Sequence, residues 1–466
     1  MVLLQADWVL PISSPPISCG GVFVKNGSIV AVGDARLMRR DLWAEPVMEF
    51  PGCVLMPGLI NVHTHLEYSA FRGLLPAGGF GLWMLGLLRA RRRLDLEDYA
   101  ASALWGAHEC VRSGVTTVAD TTYEGAIVAR ATHAAGLRAR VYVEAFGLDD
   151  AKLPEAMGRL EERVEAVRRE CEKPFGEEGD PGSPAATRLV EPGVSPHAPY
   201  TVSARLYREV ARLARHAKLP LATHLAESQA EVDLLKGKSS PITRAYQAAN
   251  LWTGQNWTPP RMSPVRYVAQ TGALGPASLA VHVVQADADD IAALAATGAG
   301  VAHCPRSNTR LQCGAAPVAE LIAAGIAVGL GTDSLASNDS LDLFVEMRAA
   351  LAMSQARAES GVAAPLTPER ALSMATLEGA RAAGLGGLVG SIEVGKRADL
   401  IAVRLPAIEH EVPDVPAQVV HQATAADVLM AMVDGDVVFE AAKQPAMPDG
   451  VVAGLSVARK KLRAGA

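Results

Sequence analysis

The chain has 466 residues, 49% of them apolar, with a formal net charge of −6 and an isoelectric point near 6.0. That length suits one large α/β domain with additions, or two to three smaller domains, and the apolar share supports a sizeable core. The acidic balance argues against a nucleic-acid partner, which would call for a basic surface.

Residues 1–16 lack a basic start and a small-residue cleavage site, so no signal peptide is expected. The longest apolar runs, such as 321–330, are too short to span a bilayer, and no membrane partner is expected. Six cysteines (Cys19, Cys53, Cys110, Cys171, Cys304, Cys313) show no paired spacing. They read as reduced thiols of a cytoplasmic protein. Residues 2–55 hold short strand-like pieces at 22–25, 28–32 and 47–50, with Asn26-Gly27 as a hairpin signal. The same texture returns at 391–403 and 433–439. The two ends are therefore expected to pair into one small β-sandwich, 1–56 giving one part and 389–445 the other. Residues 446–466 would be a tail or helix.

Between them, 57–388 alternates strand and helix. Strand candidates are 59–62, 115–119, 139–145, 189–194, 221–223, 279–283, 300–303 and 327–330. Helical stretches fall at 97–113, 125–135, 155–169, 203–217, 228–235 with 264–271, 289–297, 317–324 and 341–357. Eight strand–helix units read as an α/β fold of the (β/α)8 barrel type. An open doubly wound sheet is the alternative, but no GxGxxG follows a strand here. The run Arg89-Ala90-Arg91-Arg92-Arg93 reads as a solvated helix face, with a patch for an anionic partner as the second reading. Segments 171–186 and 237–260 break the rhythm. The first is expected as a surface loop; the second, with Trp252 and Trp257, as a loop over the barrel mouth.

In such barrels the chemistry gathers where strands end. The first strand ends in His63-Thr64-His65, whose imidazoles at i and i+2 leave a strand on one side. Later strand ends supply His197, His224, His282, His303 and Asp333. Six of eleven histidines thus fall on one face; His108, His133, His216, His410 and His421 lie elsewhere. A mononuclear catalytic site needs three or four N/O donors and an open corner for water. His63, His65, His224 and Asp333 supply them, suiting Zn²⁺, with Fe²⁺ compatible. Taken singly, His224 reads as a core histidine and Asp333 as a helix cap. Only Lys152, Lys173 and Lys218 lie between His65 and His224, all in polar contexts, so no bridging lysine and a single metal are expected. Glu227, three residues after His224, can take a proton from an activated water and pass it on; its bland reading is an exposed helix-start carboxylate. His282 can steady developing negative charge.

The pieces 57–65, Ser195-Pro196-His197-Ala198-Pro199-Tyr200-Thr201, His224-Leu225-Ala226-Glu227, Val281-His282, Cys304-Pro305-Arg306-Ser307-Asn308, Gly331-Thr332-Asp333-Ser334 and Gly395-Lys396-Arg397-Ala398-Asp399-Leu400 resemble the amidohydrolase superfamily. Their order is most similar to the aminohydrolases related to adenosine, guanine and triazine deaminases. The resemblance spans nearly the whole chain. It implies a distorted barrel with a terminal β-sandwich and one Zn²⁺ on His63, His65, His224 and Asp333. It also implies a proton shuttle at Glu227, orientation of the attacking oxygen by His282 and Asp333, and substrate contact at His197. Ser307, Asn308, Trp83 and Glu67 are further expected substrate contacts. Leu66-Glu67-Tyr68-Ser69 departs from methylthioadenosine/adenosylhomocysteine deaminases, which usually carry small residues and then Met after the paired histidines. With Phe71-Arg72-Gly73 it looks more like the 6-aminodeoxyfutalosine deaminases of menaquinone biosynthesis. Relatives are often homodimers. Hydrolysis on a guanine, triazine or cyclic-amide ring, and a non-catalytic metal-binding barrel, are the rival readings.

Overall fold

Eight consecutive parallel strands form the centre. The computed structural model describes residues 1–466 except 77, 173–188, 253, 255–256, 362–363, 406–413, 445 and 465–466. Strands β1 (Val2–Val9), β2 (Ile17–Lys25), β3 (Ser28–Asp34) and β4 (Val47–Pro57) open the chain. The barrel strands follow: β5 (Leu59–Thr64), β6 (Val115–Thr122), β7 (Arg138–Ala145), β8 (Val190–Pro196), β9 (Leu221–Leu225), β10 (Ser278–His282), β11 (Gly300–His303) and β12 (Val328–Leu330). They neighbour one another in chain order. Each matches one expected strand. Every residue of β5 is buried, as expected of a parallel strand covered on both faces.

The barrel is distorted at two seams. Between β8 and β9 only Val194 and Leu221 pair in register. Between β12 and β5 no ladder forms; the Asp333 amide donates to the His63 carbonyl at 3.0 Å instead, and Asn61 accepts from the Thr332 amide at 3.1 Å. Gly331 is required here, because a Cβ would sit 2.9 Å from both the Cβ and the carbonyl oxygen of His63. Ile60, Val62, Ala119, Tyr142, Ala222, Leu279, Val281 and Ala302 form one core cluster with Ala380, Leu385 and Val389. The latter segment lies across the strand starts: a Cβ on Gly300 would strike Ala382, and Arg140 at the start of β7 donates to the Ala383 carbonyl.

The chain ends supply β13 (Leu400–Arg404), β14 (Val428–Val433) and β15 (Asp436–Glu440). With the first four strands they make a seven-stranded sheet in the order β15-β14-β13-β4-β1-β2-β3. A bridge between Ser28 and Arg397 turns the far edge back toward β13, around a core of Leu4, Val22, Ile29, Leu55, Leu400 and Met432. This is the expected terminal β unit. Only Gly58 separates β4 from β5, and its missing side chain admits Thr116, whose Oγ1 would lie 2.0 Å from a Cβ. The sheet is locked to the barrel by buried Arg138, which donates to both Asp399 oxygens at 2.8 and 3.0 Å and to Asp434 at 3.1 Å.

Two local expectations change. Segment 237–260 is not all loop: Ser240 caps a helix, Pro241–Ala248, with Pro at its first turn, where no amide donor is needed. The 171–186 loop lies outside the described residues from 173 onward. The arginine run is only partly a solvated face: Arg89 and Arg92 are exposed, but Arg92 also donates to the Ala249 carbonyl and half-buried Arg93 to that of Leu462. The C-terminal segment is a helix, Asp449–Arg463, packed on helix Leu96–Arg112, itself begun by an Asp95/Asp98 capping box. No helix among the described residues is long and apolar enough to cross a membrane.

Candidate active site

The ends of β5, β9, β10 and the turn after β12 converge on one buried chamber. His63 Nε2 lies 3.6 Å, and His65 Nε2 3.7 Å, from Asp333 Oδ1. The Nε2 atoms of His65 and His224 are 3.3 Å apart, their rings stacked with planes 8° from parallel. Asp333 (φ 55°), His282 (φ 76°) and Ala226 (φ 51°) all adopt left-handed backbone, so the chain is held off its relaxed path where these groups are aimed.

The donor set fits a cation. His224 Nδ1 faces the His197 carbonyl at 3.0 Å, which places the ring proton there and leaves the Nε2 lone pair toward His65. His63 Nε2 is buried with no hydrogen-bond partner among the described residues. A buried polar atom so left is costly unless something fills the gap. Burial, with His63 beside it, pushes the His65 imidazole down to about 3, and burial also drives His224 well below its usual value. Both rings are therefore neutral donors. Burial alone would raise the Asp333 carboxyl; the neighbouring imidazoles of His63, His282 and His65 hold it well below the usual range. Three imidazoles and one carboxylate make up the donor chemistry of a Zn²⁺ site.

Asp333 is fixed from behind. Ser307 Oγ and Ser337 Oγ donate to its Oδ2 at 2.6 and 2.7 Å, and the Ser334 amide to Oδ1 at 2.7 Å. Asn308 Oδ1 lies 3.0 Å from His282 Nδ1. Ser307 and Asn308, expected to touch substrate, are fully buried and spend these groups on Asp333 and His282. Their place follows from the turn after β11, which runs into helix Pro305–Arg310 behind the chamber. His303, counted with the mouth histidines, also faces elsewhere, beside Ala316, Val318 and Met353.

His282 Nε2 stands 3.6 Å from Glu227 Oε1. Glu227 is 4% exposed, not the solvated helix-start carboxylate of its bland reading. Burial, with Asp333 and Glu231 nearby, pushes its carboxyl well above the usual range. The turn carrying it is held by Glu231, whose carboxylate accepts from the Ala226 amide at 3.0 Å and the Glu227 amide at 2.8 Å.

His65, His197, His224, Glu227, His282, Asp333 and Trp83 line an inner cavity of about 80 Å³. Trp83 offers its ring face, since its Nε1 donates to the Ala336 carbonyl at 2.9 Å. His197 stacks on Phe146 with centroids 4.6 Å apart. Glu144, absent from the sequence expectations, lines the same space with Oε1 3.9 Å from His197 Nε2. Burial, with Glu67 next, raises its carboxyl to about 8. No spacing in the sequence marks it, since it is a single glutamate near the end of the apolar run of β7. Glu67, 2% exposed, lies on an outer cavity of about 520 Å³ and accepts from Thr122 Oγ1 at 2.6 Å. Tyr246 and Trp252, from the segment expected over the mouth, line that outer cavity.

Residues 54–438 match the amidohydrolase family model. The chain belongs to the amidohydrolase family. It is 34% identical over 429 residues to a 5-methylthioadenosine/S-adenosylhomocysteine deaminase of Syntrophobacter fumaroxidans, covering 90% of this chain and 88% of that one. It is 33% identical over 425 residues to the 5'-deoxyadenosine deaminase of Methanothermobacter thermautotrophicus, covering 90% and 89%. The crystal structure of an adenosine deaminase from Xanthomonas campestris with bound zinc superposes with a TM-score of 0.80 at 27% identity, covering 99% of this chain and 98% of that one. This amidohydrolase is thus a C–N hydrolase of the deaminase branch, with a His/Asp cluster able to bind metal.

Proposed function

We propose that this chain is a zinc-dependent deaminase that hydrolyses the 6-amino group of an adenine-type nucleoside and releases ammonia. One observation carries the reading: Glu227 and His282, 3.6 Å apart, share a chamber with the His63, His65, His224 and Asp333 donors. A metal-binding scaffold would need neither of the first two.

His63, His65, His224 and Asp333 would hold one Zn²⁺. When bound, Zn²⁺ supplies Lewis acidity that makes water a nucleophile near neutral pH. Glu227 takes a proton from the attacking water and delivers it to the ring nitrogen next to the amino-bearing carbon. That nitrogen's protonation makes the carbon electrophilic. Asp333 and His282 orient the attacking oxygen as the carbon becomes tetrahedral, and His282 steadies the charge that develops there. The proton left on the newly attached hydroxyl passes to the amine, and ammonia leaves as that oxygen becomes the ring carbonyl. The raised proton affinity of buried Glu227 suits a group that must both accept and give back a proton. His197, Trp83 and Glu144 would bound the base, and Glu67 would accept from ribose hydroxyls. Within this class the finer reading is 6-aminodeoxyfutalosine, in menaquinone biosynthesis, supported by Leu66-Glu67-Tyr68 and Phe71-Arg72-Gly73. The setting proposed is a cytoplasmic enzyme, acting on small molecules as a homodimer.

Ammonia release from a panel of adenosine, 5'-deoxyadenosine, methylthioadenosine, S-adenosylhomocysteine and 6-aminodeoxyfutalosine tests the class and the substrate together. Glu227→Gln should retain its metal while kcat falls by about 10²–10⁴-fold. A variant turning over near the wild-type rate removes Glu227 from the proton path.

A further inference from the structure

One corner of the inner chamber holds a second pair of metal-ligand groups. Thr201 Oγ1 gives its own proton to the Ala198 carbonyl at 3.1 Å, so at 2.7 Å from His197 Nδ1 it accepts. That fixes the His197 tautomer: Nδ1 carries the proton and Nε2 presents a lone pair. The ring is held in this pose by stacking on Phe146 and by an edge-on contact with Tyr200, centroids 5.7 Å apart. Its Nε2 lies 3.9 Å from Glu144 Oε1, too far for a hydrogen bond. Glu144 is 4% exposed, and its Oε1 is buried with no hydrogen-bond partner among the described residues.

A bare imidazole nitrogen and a carboxyl oxygen at this spacing suit a borderline cation. Zn²⁺ takes such donors at about 2.0–2.2 Å, so a tetrahedral angle sets them about 3.4 Å apart, and closing the gap needs a shift of about half an ångström. Mg²⁺ prefers a full oxygen shell and is a poorer match. His224 has a ring nitrogen within 4.8 Å of both groups, but its Nε2 belongs to the catalytic donor set. The ion would therefore have two protein ligands and solvent. A proton on Glu144 must leave before it binds, and Arg91 on the same cavity adds positive charge. Both make this corner weaker than the catalytic donors, so that it fills only when zinc is in excess.

We propose that Glu144 and His197 form a second, lower-affinity Zn²⁺ site, and that an ion held there blocks the pocket for the base. The effect on turnover rests on the deaminase reading above; the site itself does not. Glu144 and His197 are groups that would bound the base, so metal and substrate exclude one another, and excess zinc acts as a competitive inhibitor.

The chain carrying one equivalent of zinc is titrated with further zinc, followed by calorimetry and by equilibrium dialysis. Wild type should take up a second ion, and Mg²⁺ at the same concentration should not displace it. Glu144→Gln keeps the size of the side chain and loses the carboxylate. It should weaken the second ion by about 10-fold or more while retaining the first, and His197→Asn should do the same. In wild type the second ion should raise KM and leave kcat unchanged. A single zinc at saturation, or a second ion bound equally by wild type and both variants, overturns the proposal. A KM unmoved as the second ion binds also overturns it. If no nucleoside of the panel above releases ammonia, the deaminase reading fails, and the zinc stoichiometry of wild type and Glu144→Gln still decides the site.

Discussion

Asp333 shows how much of the site lies in one residue's surroundings. Its Oδ1 faces the histidines, while Ser307 and Ser337 occupy Oδ2. These hydroxyls fix which oxygen is presented and stabilise it as an anion. Ser307→Ala should therefore weaken Zn²⁺ affinity by about 10–100-fold with the fold intact, measured by competition with a chromophoric chelator. Unchanged affinity would mean the serine only fills space. His63, His65, His224 and Asp333 could be read from sequence because strand ends in a barrel share one face. Ser307 and Asn308 could not be placed, because a motif gives proximity to a site and not direction. The pair sits on a helix whose polar edge meets Asp333 and His282 from behind. Glu144 was missed for the opposite reason: a single glutamate in an apolar strand carries no spacing signal.

At the scale of elements, helix Gln229–Leu235 does more than follow β9. Ser228 caps it through the Glu231 amide, and the Glu231 side chain turns back to accept from the Ala226 and Glu227 amides. This stabilises the left-handed conformation at Ala226 and aims Glu227 at His282. Glu231→Ala should lower kcat at least 10-fold while leaving metal content at wild-type level, with a thermal melt to check stability; about 1–3 kcal/mol of the loss reflects the freed amides. Full activity would show that the turn holds its shape without Glu231. The eight strands were legible from apolar runs of strand length. Helix Pro241–Ala248 was not, since its eight residues sit in a stretch whose Gly, Pro and Trp content reads as loop.

Over the whole molecule, both chain ends brace the barrel. Arg138 at the foot of β7 is held by Asp399 and Asp434 from the terminal sheet, all three largely buried. Asp399→Ala should destabilise by about 3–5 kcal/mol, since it strands a buried guanidinium, read by denaturant unfolding. A loss under about 1 kcal/mol would mean solvent reaches the pair. The C-terminal helix Asp449–Arg463 reaches the site's wall: Arg459 donates to the Ala70 and Arg72 carbonyls at 3.0 Å, just past the turn that carries Glu67 and Tyr68. Sequence texture alone pointed to pairing of the two ends in one β unit. It could not give the Arg138–Asp399 lock, because those residues are 261 positions apart and nothing local links them.

The central claim is that three imidazoles and a carboxylate from three strand ends grip one cation. X-ray absorption at the zinc edge of the zinc-loaded chain tests it directly. The account predicts one zinc per chain with three imidazole nitrogens at about 2.0–2.1 Å and the remaining donors oxygen. A sulfur scatterer at about 2.3 Å, or fewer than three imidazoles, would contradict it.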